Sequence, residues 1–263
     1  MPDRSGPSPA SEILHARLGR VGTVTINRPP LNIMSISSFE AMRRALDDLT
    51  GEDPVDIIVI QAAGERAFCA GADVADHTPE RAPAMLESFH AVARFMLSTE
   101  AVSVAAVRGL ALGGGMELAL CCDLVLASQE AELGQPEIRV GAFPPIAATI
   151  LPALVGRQRA SEIIFTGRRV RADEALRLGL VSRVVPAASF DEALQDLIGS
   201  LSENSGAVMR CAVRALRRQV SFTFSEALGE AERVYREDLL PLRDAREGVE
   251  AYLMKRQPRW TSR

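Results

Sequence analysis

The 263-residue chain is 47% hydrophobic and 24% charged, a balance that excludes a disordered polypeptide, and its net charge of −4 gives no general attraction to nucleic acid or anionic lipid. No stretch approaches the roughly 18–20 apolar residues that cross a bilayer. The cysteines Cys69, Cys121, Cys122 and Cys211 show no CxxC spacing, so neither a zinc site nor a disulfide framework is indicated, and reduced thiols in a cytoplasm are expected.

Residues 1–11 hold Pro, Ser and an early acid but no apolar segment, and read as a loose tail rather than a signal peptide. ILHARL and VGTVTINR then predict two strands joined by a Gly-Arg turn, the second alternating apolar and polar. A helix follows, with Ser37 or Ser38 as cap, Phe39, Met42, Leu46 and Leu49 as its apolar stripe, and Gly51 at its end. VDIIVIQA is a continuous apolar run of the kind buried on both faces of a parallel sheet. Residues 83–97 predict a helix, VSVAAVRG a strand, GGMELALCC a helix opening on glycines and DLVLAS another strand. Helix signals return at 157–165 and 173–178, before the strand LVSRVV. Alternating strands and helices place the chain in the α/β class. From about residue 190 the strand signal stops, and helices are expected at 190–201, 206–219 and 225–255, with Pro241 interrupting the last. The division expected is therefore a core over 12–190 and a helical region over 191–263.

Two glycine-bearing loops carry chemical interest. In FCAGAD the small residues Ala70, Gly71 and Ala72, before Asp73, let a ligand approach the backbone. In LGGGME, Gly113 and Gly114 open a helix whose free N–H groups point out of its positive end, but the Lys-Ser/Thr ending of a phosphate loop is missing. Each alone reads as a tight turn. Together, one outward N–H from each loop would make an oxyanion hole for a carbonyl gaining negative charge. Glu117 sits one turn into the second loop's helix, and Glu137 follows a proline twenty residues on. Taken singly, Glu117 reads as a partner of the helix dipole and Glu137 as a surface acid.

The ordered set NRPPLN, FCAGAD, VRGLALGGGMELALCCDLVLAS, GQPEI, TGRRVRADEALRLGLVSRVV and REGVEAYLMKRQP resembles the crotonase, or enoyl-CoA hydratase/isomerase, superfamily over nearly the whole chain, from about Val21 to Lys255. The resemblance implies a spiral of ββα turns with carboxy-terminal helices that build homotrimers, often paired into hexamers. It implies an acyl-CoA substrate, with coenzyme A part of the substrate and no separate cofactor or metal. By position, Ala72 and Gly114 match the oxyanion-hole residues, and Glu117 and Glu137 the two catalytic acids of the hydratases. Coenzyme A would meet Arg66 and, late in the chain, Lys255 or Arg256, the latter pair reaching a neighbouring subunit. Ala75 stands where the family often has lysine. Val208, Cys211, Ala212, Ala215 and Leu216 form a stripe that suits subunit packing and an internal core equally.

One segment departs from the pattern. Where hydratases carry a glycine-rich PGAGG-like stretch, this chain has FPPIAAT, and Pro145 has no N–H with which to hold the attacking water. The pairing of PPLNIMSI with GAFPPIAA is similar to cyclohexadiene-carbonyl-CoA hydratases of aromatic degradation. The leading expectation is hydration of an enoyl-CoA. The alternatives are an isomerase, decarboxylase or hydrolase on the same fold, or a non-catalytic acyl-CoA binder. His77, His90 and Cys69 read as packing or surface residues.

Overall fold

The computed structural model describes residues 11–261, so the expected tail lies outside the described residues except for Ser11. Strands β1 (Ile13–Leu18) and β2 (Val21–Ile26) pair antiparallel, turning through Gly19 at φ 57°. Helix α1 (Ile36–Leu49) follows, and its cap is Ser35, not Ser37 or Ser38. The Ser35 hydroxyl accepts the Ser38 N–H at 3.3 Å, and the Ser38 hydroxyl accepts the Ser35 N–H at 3.2 Å. This reciprocal box places Ser38 inside the first turn.

A repeating pattern then begins. Strands β3 (Ile57–Ala62) and β4 (Ala67–Cys69) precede helix α2 (Ala82–Ser98); β5 (Val102–Val107) and β6 (Leu110–Leu112) precede α3 (Gly114–Leu120). Strands β7 (Leu124–Ser128) and β8 (Glu132–Gly134) precede α4 (Pro145–Val155) and α5 (Arg157–Thr166), and β9 (Arg169–Arg171), α6 (Ala172–Leu178) and β10 (Arg183–Val185) complete the winding. Each passage sends one strand to a six-stranded sheet, β1-β2-β3-β5-β7-β10, and one to a four-stranded sheet, β4-β6-β8-β9. All pairings are parallel except β1–β2 and β8–β9. The result is the α/β spiral of ββα turns.

The two-residue period of a strand explains how the large sheet is covered on both sides. Ile58 and Ile60 of β3 point into the main core with α1, α2 and α4, whereas Ile57, Val59, Val104, Ala106 and Leu126 face the other way. That second face is closed by Phe190 and Leu194 of α7 (Phe190–Ser202). Helix α8 (Gly206–Arg233) sends Phe224 and Leu228 into the main core. It runs unbroken through the gap expected between 219 and 225, because buried residues on both sides of the weak stretch outweigh local propensity. A single π-helical turn, Val234–Leu239, follows, and Pro241 stands before α9 (Arg243–Leu253). No helix among the described residues is long and apolar enough to cross a membrane.

Candidate active site

Helix α3 is buried along its whole length, and its approach to β4 is set by glycine. A Cβ on Gly115 would lie 2.0 Å from the Cys69 carbonyl oxygen, so only glycine lets the two backbones come this close. The neighbouring loop bends at Gly71 (φ 106°), where a Cβ would meet the Leu112 carbonyl at 3.1 Å and the Gly114 nitrogen at 3.7 Å. A Cβ on Gly114 would in turn stand 3.6 Å from the Ala72 nitrogen. The two loops singled out in the sequence are thus in contact. Among the described residues, neither the Ala72 nor the Gly114 N–H has a backbone partner: Met34 bonds the residues on either side of Ala72, and Gly114 opens its helix.

Glu117 follows one turn later and is 3% exposed. Its Oε1 accepts the Ala147 N–H at 2.8 Å, from the amino-terminal turn of α4. Because Pro145 is the first residue of that helix and has no N–H, the next free donors are the ones that reach the carboxylate. Glu137 begins a short 3₁₀ turn, Glu137–Val140, that ends at Gly141 in the left-handed region. Its carboxylate lies against Gly113, where a Cβ would come within 2.5 Å of Oε1. Buried Gln135, with its amide nitrogen turned inward, donates to both Glu137 oxygens at 3.2 Å.

Burial raises the pKa of both acids. Glu117 is pushed from 4.5 up to about 7, burial outweighing the Ala147 and Ile146 N–H groups, which favour its charge. Glu137 is pushed well above 4.5 by burial and then by the charge of Glu117. An unfolded chain releases the Glu117 proton near pH 4.5, whereas the folded chain keeps it to about pH 7, so stability declines as pH rises through that window. Glu117→Gln cannot titrate. In urea melts, its unfolding free energy relative to wild type should therefore rise by up to about 3 kcal/mol between pH 4.5 and pH 8. A difference that stays flat across that range would mean Glu117 titrates alike in both states.

These groups open into a cavity of about 580 Å³. The expected residues Arg66, Ala70, Gly71, Ala72, Gly113, Gly114 and Pro145 all line it beside the two glutamates. Three others do not. Asp73 turns its carboxylate to the Ala75 N–H at 3.0 Å and caps the 3₁₀ turn Val74–His77. Lys255 and Arg256 lie away from this cavity, and Arg256 pairs with Glu247 at 2.6 Å. His77 and His90 do line the wall, each with Nδ1 engaged, by the Asp73 carbonyl at 3.0 Å and by Glu232 at 2.6 Å respectively. Burial lowers the pKa of both rings. The Cys69 thiol is buried and pushed up to about 12, as suits a packing residue and not a nucleophile.

Several cavity residues carry no local sequence signal. Phe89 sets its ring against Gly114, and Phe143 and Tyr235 pack ring to ring at 5.2 Å. Arg139 and Arg169 join Arg66 on the lining. All three are exposed; Arg66 and Arg139 have no ion partner among the described residues, Arg139 donating instead to the Thr166 carbonyl at 3.2 Å, whereas Arg169 pairs with Glu132. No group of three or more His, Cys, Asp or Glu among the described residues is arranged to hold a metal ion.

The chain is 35% identical over 261 residues to the cyclohexa-1,5-dienecarbonyl-CoA hydratase of Thauera aromatica, covering 97% of this chain and 100% of that one. It is 30% identical to the short-chain-enoyl-CoA hydratase of Clostridium acetobutylicum, covering 94% and 96%. The crystal structure of an enoyl-CoA hydratase from Mycobacterium avium subsp. paratuberculosis superposes with a TM-score of 0.84 at 28% identity, over 97% of this chain and 100% of that one. The family model described as enoyl-CoA hydratase/isomerase matches residues 17–263, and the chain belongs to that family.

Proposed function

We propose that this protein is a hydro-lyase that adds water across the C2=C3 bond of an enoyl-CoA thioester, or removes it in the reverse direction. The observation that carries the reading is the meeting, in one cavity, of two backbone N–H groups without a backbone partner among the described residues and two carboxylates, Glu117 buried and Glu137 half-buried, held by separate loops. The Ala72 and Gly114 N–H groups hold the thioester oxygen. As water's oxygen bonds to C3, the π electrons move to C2 and the oxygen gains the charge that those donors stabilise. One glutamate takes a proton from the water and the other delivers one to C2. The raised pKa values support this division, because two neighbouring acids whose charges repel titrate as a unit, the first ionisation opposing the second. Water, thioester and two carboxylates balance the reaction with no further cofactor.

Arg66 serves the phosphates of coenzyme A: it is exposed on the lining, and no acid engages its side chain among the described residues, whereas Arg139, likewise exposed and without an acid partner, donates to the Thr166 carbonyl at 3.2 Å. Lys255 and Arg256 reach the site of a neighbouring copy in a homotrimer or homohexamer, assembled through the carboxy-terminal helices of 191–263. In support, Val208 and Leu216 of α8 are 67% and 77% exposed in the single chain, while Val213 and Arg217 on the same helix face inward. The bulk of Met85, Leu86, Phe89 and Phe143 on the lining favours a compact acyl group, and the cyclic dienoyl thioester named for the Thauera relative is the first to try.

The test is incubation with crotonyl-CoA, longer 2-enoyl-CoAs and cyclohexadiene-carbonyl-CoA, following loss of the conjugated thioester absorbance and product mass. A gain of one water supports the reading. An unchanged mass with a moved double bond means an isomerase, loss of carbon dioxide or of free coenzyme A means a decarboxylase or hydrolase, and binding without product means a non-catalytic acyl-CoA binder.

A further inference from the structure

We propose that Tyr235 is a third group of the reacting centre: its phenolic O–H donates a hydrogen bond to the water that adds to C3, in place of the backbone N–H that Pro145 lacks. The inference rests on the hydration reading above and assigns it a residue more than ninety positions beyond the nearer glutamate.

The first support is placement. Tyr235 stands on the π-helical turn after α8, where the Leu240 N–H bonds the Tyr235 carbonyl at 3.0 Å, five residues back. Such a widened turn re-aims its side chains relative to an α-helix and recurs at functional sites. Here the ring is directed into a cluster with Met85, Leu86 and Ala142, leaning on Phe143, and lines the cavity of the two glutamates.

The second support is an unmet need. Tyr235 is 2% exposed, yet its hydroxyl has no hydrogen-bond partner among the described residues. The hydroxyl is not among the sealed polar atoms that lack a partner, so it meets the cavity as a free donor for a molecule that enters. Both carboxylates lie close enough that their charges, Glu137 more than Glu117, add to burial in raising the phenol's pKa. Tyr235 therefore remains protonated and is a donor throughout.

The third support is a count of lone pairs. A reacting water has two hydrogens and two lone pairs. Glu117 and Glu137 offer oxygens that accept both hydrogens, and one lone pair attacks C3. The other needs a donor to fix the attack direction, and the amino-terminal turn of α4 cannot give one from Pro145 and spends its Ala147 N–H on Glu117. The Tyr235 hydroxyl fills the vacancy without transferring a proton.

Tyr235→Phe keeps the ring and its packing and removes only the donor. With the best enoyl-CoA of the wild-type panel, kcat should fall about 10- to 100-fold while KM changes less than about threefold. Exchange of the C2 protons of a saturated acyl-CoA in deuterium oxide, which needs no added water, should stay at the wild-type rate. Turnover within about twofold of wild type would overturn the role of Tyr235 alone, as would an effect confined to KM or an equal loss of C2 exchange. A wild-type protein that hydrates none of the panel would instead overturn the hydration reading, and the assignment of Tyr235 with it.

Discussion

Glu117→Gln and Glu137→Gln are each expected to lower the hydration rate about 10²–10⁴-fold, the range a positioned acid or base contributes. Glutamine preserves shape at both sites. Its carbonyl still accepts the Ala147 N–H at position 117, and at position 137 it still faces the Gln135 amide, so the fold and the cavity survive while the proton carrier is lost. The double variant should be little slower than the worse single one, because groups that act as a unit are not additive once either is gone. C2 deuterium exchange separates the roles: the variant that keeps exchange has lost the base that activates water, and the variant that loses it has lost the group serving C2. A rate within tenfold of wild type for either substitution would remove that glutamate from the proton-transfer steps.

The strands of the large sheet were legible because a run such as IIVI buries both faces, and no solvated helix of that length would do so. The four-stranded sheet was not, since its strands are three residues long and carry no period. Helix α4 escaped for the opposite reason. Its sequence, PIAATILPALV, is apolar nearly all round and so carries no helical stripe, and prolines have low helix propensity although Pro145 occupies the first helical position, where its missing N–H costs no bond. At the site, the two glycine loops and both acids could be placed because their chemistry needs local spacing. Asp73, expected beside the ligand, instead turns its carboxylate to the Ala75 N–H, because adjacency to the loop says nothing about the direction of a side chain that a nearby backbone N–H can claim. Tyr235, Phe89 and Arg169 come from remote segments that only tertiary packing brings to the cavity.

Gly115→Ala is expected to destabilise the protein by more than about 3 kcal/mol, beyond the usual cost of an overpacked methyl, because the obstacle is backbone and not a movable side chain. Helix propensity alone argues the other way, since alanine inside a helix is favoured over glycine by about 0.5–1 kcal/mol. The geometry decides between them. The added Cβ would meet the Cys69 carbonyl oxygen at 2.0 Å and its carbon at 2.7 Å, and both Gly115 and Cys69 belong to elements locked into their neighbours. Relief requires α3 to move off β4, which carries the Gly114 N–H away from Ala72 and pulls Glu117 from the Ala147 N–H. Hydration should therefore fall even in the fraction that stays folded. Gly199→Ala is the control: this glycine also lies in a helix, α7, but a Cβ there meets nothing within 4 Å, so the substitution should be neutral or stabilising by up to about 1 kcal/mol. Thermal midpoints and kcat for the two variants test the argument together. Wild-type stability and turnover in Gly115→Ala would show that close contact between α3 and β4 is not what aligns the two N–H groups.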